Sequence, residues 1–534
     1  MSIYTIRYLT RPLLPLIFVA ATLLLAGCSG SGPITTGTAS TTSGSGGATG
    51  GGATGSGVAA MLSLNTTGQY YTLPNDLTTA GTAVSISASN VTLDLNGKTI
   101  TYNASASSSR VYGVYLAVGV SGVTIKNGTI LQGAGNTADS PAIFIYGASY
   151  ASGHTISDMV IRVTGYQTNG IQADNGYGFN NSEITRTYIE LHGDTTALDG
   201  YGGDPITVCA TNTGGVQIHD NILIAGHRGI QACSVGADSG APNLSRINNN
   251  RIQQVRRKGS KAPYGVLVDG RSHNVDVYDN QIISDDGRGI NIDGWGQGVP
   301  VGASGNHIYR NRIDVQYSST ATSGAYVENN LYGIRDRYSS GDNLFEDNIV
   351  IVSSDIKGDI FGFHIGSDAT DLQMKNIVVR NNTVIARRGL SANNNTPYPF
   401  SFDRADSISV TGNRYATEGG FSVGDSFVTT LTVNSNTVLA PAATNPAIPT
   451  GLKITRFLDS YLIEWNANSE ADVYEYVVYR DSVKLPISPR GGTFYVDVGI
   501  GGSHNYYVSA LTLSGYEGTR SAEVSTNTAK NAWW

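Results

Sequence analysis

From Val91 to Asn436 the chain keeps returning to one short pattern: an aliphatic or aromatic residue, two variable residues, usually Asn, one variable residue and an aliphatic residue. VQIHDNIL, SRINNNRI, VDVYDNQI, NHIYRNRI, LFEDNIV and VVRNNTV are examples. The fourth position falls at Lys98, Gly128, Met159, Thr187, Asn221, Asn250, Asn280, Asn311, Asn348, Asn382, Asn413 and Asn436, about 31 residues apart on average. A unit of that length cannot bury its apolar face alone, so it must stack on its neighbours as one coil of a solenoid. Eight of these twelve positions are Asn, which predicts a ladder of side-chain amides running from coil to coil.

Between successive Asn turns lies a second strand, opening with Gly or Pro before an apolar residue: YGVYLA, PAIFIY, NGIQAD, DPITVC, RGIQAC, YGVLVD, RGINID, YGIRDR, FGFHIG, YPFSFD and GGFSVG. Its period-2 alternation leaves two outward positions per coil. The first column reads Tyr115, Phe144, Gln172, Thr207, Gln231, Leu267, Asn291, Arg335, His364, Ser401 and Ser422. The second reads Ala117, Tyr146, Asp174, Cys209, Cys233, Asp269, Asp293, Arg337, Gly366, Asp403 and Gly424. Coils stack about 4.8 Å apart, so neighbours in each column should nearly touch.

One patch of these columns carries chemistry. Asp269 and Asp293 are adjacent like charges, which need a cation, a shared proton or an ion pair with Arg337 to relieve them. Two readings stand. In one, the patch is an ordinary solvated sheet face with an Asp–Arg pair. In the other it is a groove in which Asp269, Asp293, Arg337 and His364 do acid–base work, Asn291, Arg335 and Asp403 hold substrate, and Asp269 with Asp293 bind a hard cation such as calcium. Cys209 and Cys233 fall in consecutive coils of one column, close enough for a disulfide.

The opening stretch GQYYTLPNDL…VSISASNVTLDLNGKTI resembles the first coils of right-handed parallel β-helix proteins, the pectate-lyase-like superfamily with its NosD-type repeats. The resemblance spans roughly residues 60 to 440 and implies an all-β solenoid of about twelve coils; it implies no single activity, because this fold carries many. Asp285-Asp286 and Gly226-His227 are similar to pieces of polygalacturonase motifs, in the reverse order. Tyr201-Gly-Gly-Asp204-Pro205 resembles a segment of alginate epimerases, with Ile206 where the family has His.

The ends of the chain differ in character. Residues 1–28 read as a signal segment: Arg7 and Arg11 precede a short apolar run that closes on Leu25-Ala26-Gly27-Cys28. This closely resembles the lipobox of bacterial lipoproteins and implies a lipidated Cys28 as membrane anchor, in the outer membrane or at the cell surface; Ser29 in place of Asp fits outer-membrane sorting. Residues 29–57 are almost all Gly, Ser, Thr and Ala, a flexible tether. The solenoid is expected over 58–440, a linker over 441–446 and a short tail over 529–534. Residues 447–528, with PTGLKI, a core Trp465 and NYYVSALTLSGYEG, resemble a fibronectin type III module, expected to shield the open end of the solenoid.

A net charge of -7, with only the short RRKGSK cluster as a basic run, argues against nucleic acid as partner. The expected partner is a polysaccharide or cell-surface glycan. Three function classes follow: a polysaccharide lyase or epimerase, a non-catalytic adhesin or matrix-binding rod, or a glycoside hydrolase using paired aspartates. The lyase or epimerase class is preferred, because the basic residues have no evident task in simple hydrolysis.

Overall fold

The computed structural model describes residues 58–531, apart from short internal segments. Each coil of the repeat contributes strands to three faces of a right-handed parallel β-helix. The site face is a 13-stranded parallel sheet running from Leu62–Leu64 to Val423–Ser426. A second face runs from Tyr70–Thr72 to Thr430–Asn434, and a third from Leu77–Thr78 to Thr437–Val438. Thr124–Gln132, Thr155–Val163 and Glu183–Leu191 pass unbroken through both of these.

The recurring Asn has a local cause and a long-range one. The residue before it turns the corner in the left-handed region, at Asp220, Asn249, Asp279, Arg310, Asp347, Asn381 and Ser435. Asn and Asp, the commonest residues there, tolerate that conformation best. The Asn itself points inward. Asn221 Nδ2 donates to Asn250 Oδ1 at 3.0 Å, and the same link repeats through Asn280, Asn311, Asn348, Asn382 and Asn413 to Asn436. Each ladder amide also donates to a main-chain carbonyl, as Asn311 does to Val277 O at 2.8 Å. Corner groups inside the apolar core are thereby satisfied.

The glycine before each site-face strand has a packing cause. A Cβ on Gly289 would lie 2.1 Å from Ile313 Cγ2 and 2.5 Å from Gly333 O; Gly265 and Gly333 meet the same crowding. Here the site face passes so close to the third face that only a hydrogen fits.

The C-terminal segment folds into a fibronectin type III-like sandwich of two four-stranded sheets, with Trp465, Tyr476 and Tyr506 in its core. Lys530–Asn531, expected in the tail, pairs with Thr455 and Arg456 and belongs to the sandwich. The sandwich does not shield the end of the solenoid. The last coil strand, Thr430–Asn434, is largely exposed, and Val438 is exposed. Instead the sandwich lies along the third face, whose outward positions Val160, Tyr188, Ile222, Ile224 and Ile283 pack against Phe457, Leu462, Phe494 and Val496. Tyr188 stacks on Phe457 at 4.3 Å. A strand apolar on both faces needs cover on both, and the lateral position supplies it.

Candidate functional site

The site-face register pairs Cys209 with Cys233, Cys233 with Asp269, Asp269 with Asp293 and Asp293 with Arg337. The neighbouring column runs Leu267, Asn291, Arg335, His364, Ser401. Cys209 and Cys233 are joined by a disulfide, Cα–Cα 4.4 Å, which forms the wall next to Asp269.

The patch is not a solvated face. Asn291 is 0% exposed, Asp293 6% and Arg335 6%. Arg337 Nη2 contacts Asp293 Oδ2 at 2.5 Å, and the Arg335 guanidinium lies 4.8 Å from the Tyr332 ring centre. Burial, and after it the charge of Asp293, push the Asp269 carboxyl up to about 6, against the pull of the Gly270 N–H. Neither polar atom of the buried Asn291 amide meets a partner among the described residues. A buried amide left so is costly unless something polar reaches it.

The residues expected to act together do not all meet. His364 lies three coils from Asp269, roughly 14 Å by strand spacing, so the two cannot share one proton. His364 Nδ1 instead faces Ser401 Oγ at 3.3 Å, and its ring lies against Phe361. Asp403 is also three coils from Asp293, with Arg404 at 4.0 Å. The calcium expectation does not fit the donors. Calcium takes six to eight oxygens, whereas Asp293 is engaged by a guanidinium and no group of three or more His, Cys, Asp or Glu among the described residues is placed to hold a metal ion. Cys28 and Asp286 lie outside the described residues, as do the side chain of Asp285 and most of the long loops.

Two features escaped the sequence reading. The residue before each strand-opening glycine or proline forms a third outward column, here Arg228, Tyr264, Arg288, Tyr332, Phe361 and Tyr398. Arg288 is held between the rings of Tyr264 and Tyr332, at 4.7 and 5.4 Å, and Phe361 stacks between Tyr332 and Tyr398. The signal is present as RG, YG, RG, YG, FG and YP at the strand starts. The second feature joins two motif fragments. His227 Nδ1 lies 2.9 Å from Asp204 Oδ1 in the interior, and Arg228 N donates to the same oxygen. Burial raises the Asp204 carboxyl, but Arg228, His227 and the main-chain N–H outweigh it and leave it below the usual range. Arg228 Nη1 also reaches Gln231 Oε1 at 2.6 Å, and Gln231 bonds Asp269, so this dyad connects to the acidic pair.

No family model matches the chain, and no curated protein matches it. Among solved structures, an Fn3-like protein from Clostridium thermocellum is 26% identical over 17% of this chain and 98% of its own, with a TM-score of 0.15. A tailspike protein of E. coli bacteriophage HK620, solved with a pentasaccharide, is 11% identical over 87% of this chain and 85% of its own, with a TM-score of 0.36.

Proposed function

We propose that the chain binds an extracellular acidic polysaccharide along its site face and processes it as a lyase or epimerase, held at the cell surface through Cys28. The observation that carries this reading is Asp269: a carboxyl pushed up to about 6, one coil from an ion-paired Asp293 and beside an Asn291 amide that has no partner among the described residues. A group titrating near there can take and return a proton near neutral pH. In a uronate unit the carbon next to the carboxylate loses its proton to Asp269. The resulting carbanion either expels the glycosidic oxygen, which takes the proton back from Asp269 as it leaves, or is reprotonated on the opposite side by solvent water, whose hydroxide then takes the proton from Asp269. Asn291, buried with both polar atoms unpaired among the described residues, offers a donor and an acceptor to a sugar hydroxyl that enters the patch, and the Arg337–Asp293 pair limits the charge beside the base. A uronate polymer suits a face that carries Arg228, Arg288, Arg335 and Arg337.

A second reading, glycoside hydrolysis, draws on the same pair, since a raised carboxyl beside a second carboxylate also suits an acid with its partner. The test incubates the protein with uronic and neutral glycans and follows ultraviolet-absorbing unsaturated ends, reducing ends and uronate epimers. Unsaturated ends or epimers, lost in Asp269→Asn, support the proposal. Reducing ends alone favour hydrolysis, and binding without product leaves an adhesin. Cys28→Ser should move the protein from the membrane to the soluble fraction.

A further inference from the structure

The site face carries a second cluster that the acidic patch does not use. Tyr112, Tyr115 and Phe144 present near-parallel rings, with centres 5.0 Å apart for Tyr112–Phe144, 5.2 Å for Tyr112–Tyr115 and 6.2 Å for Tyr115–Phe144. Tyr146 adjoins Phe144 at 6.1 Å. Unlike the single-file ladder beside Asn291, these rings spread sideways over all three outward columns, Tyr112 standing before Gly113 in the third, and the three tyrosines are only half buried. The Arg110 guanidinium covers Phe144 at 4.5 Å and donates to Gln172 Oε1 at 2.9 Å, so the cluster extends toward the next coil.

What lies between this cluster and Asp269 matters as much. Going from Phe144 toward Asn291, the first column reads Gln172, Thr207, Gln231 and Leu267. Three of these four are uncharged side chains that can both donate and accept hydrogen bonds. The face thus runs from aromatic rings, over amides and a hydroxyl, to the carboxylate pair. Phe144 and Asn291 are five coils apart, roughly 24 Å by strand spacing. A polyhydroxylated chain matches that order: the C–H faces of its rings lie on aromatic surface and its hydroxyls meet amides.

We infer that Tyr112, Tyr115 and Tyr146 form a distal sugar-binding platform, and that the ligand is a glycan strand long enough to occupy it and the Asp269–Asn291 patch together. This rests on the reading of the patch given above. Its consequence is a preference for polymer over short oligosaccharides that comes from the platform rather than from the reacting centre.

The test compares binding of polygalacturonate, alginate and hyaluronate, each as polymer and as trisaccharide, to the full chain and to Tyr115→Ala/Tyr146→Ala. The double variant should bind polymer about tenfold more weakly while trisaccharide binding stays unchanged, which also reports intact folding. Tyr115→Phe/Tyr146→Phe keeps the ring faces and should restore polymer binding. Unchanged polymer affinity in the alanine variant would overturn the platform while leaving the patch reading intact. If the parent binds none of these glycans in either form, the patch reading falls and the platform with it. Should the alanine pair fail to fold, Tyr146→Ala alone, at a half-exposed strand end, carries the same comparison.

Discussion

Gln253 of the solenoid holds Val496 of the sandwich by both of its main-chain groups. Its Nε2 donates to Val496 O at 2.8 Å and its Oε1 accepts from Val496 N at 2.8 Å. Val496 lies on the edge strand Phe494–Asp497, so a side-chain amide stands where a neighbouring strand would pair. Gln281 adds a further link at the neighbouring Thr493, its Oε1 accepting from the Thr493 N–H at 2.8 Å and from its hydroxyl at 3.0 Å. Gln253→Ala leaves two buried main-chain groups unpaired, which should loosen the sandwich by about 2–4 kcal/mol. The expected readout is faster proteolytic release of the C-terminal segment. Gln253→Glu, which can accept but not donate, should fall between parent and Ala. Release at the parental rate in both variants would mean that apolar packing alone holds the sandwich.

The amide ladder should behave as a chain of buried obligations. Asn311 donates to Val277 O and Asn348 Oδ1, and it accepts from the N–H and the Nδ2 of Asn280. Asn311→Ala strands partners on both sides, an expected loss of about 3–5 kcal/mol, seen as a lower urea midpoint at unchanged slope. A shift no larger than that of an exposed Asn→Ala control would contradict it.

Gly289→Ala should be among the most damaging single changes in the solenoid. The added methyl meets a main-chain oxygen at 2.5 Å, and that oxygen cannot swing aside as a side chain would. We expect a loss of about 4 kcal/mol or more, measured as thermal unfolding or as failure to accumulate in soluble form. Tolerance at wild-type stability would show that the two faces can part.

Asp336 gives the solenoid a pH dependence of its own. It faces the interior, fully buried, and accepts from Asn343 Nδ2 at 2.8 Å. Burial pushes its carboxyl up to about 7. The folded chain therefore holds this proton more tightly than the unfolded one, and the associated stability is present at low pH and lost as pH rises from about 4 to about 7. Asp336→Asn keeps an acceptor for Asn343 and removes the titration. The variant should be the more stable at pH 8 and show a flatter stability profile across that window; parallel profiles would refute the assignment.

Much of this protein was written in periodicity. The spacing of Asn221 through Asn436 and the alternation of strands such as RGINIDG determine the coils, the outward columns and the neighbours Asp269–Asp293 and Cys209–Cys233, because every coil repeats one local instruction at a known spacing. The aromatic column before the glycines is equally legible, as an aromatic or arginine repeated at a third outward position of successive strands. What periodicity cannot carry is how far a position lies from water. Asn291, Asp293 and Arg335 alternate like solvated residues, yet tertiary packing buries them and raises the Asp269 carboxyl. Likewise the apolar outward residues Ile222, Ile224 and Ile283 show that the third face needs cover, whereas the identity of that cover rests on contacts between segments more than 200 residues apart, such as Gln253 with Val496. The same holds for Asp204 and His227: each fragment is visible alone, and only the stacking of their coils brings the carboxylate to the imidazole.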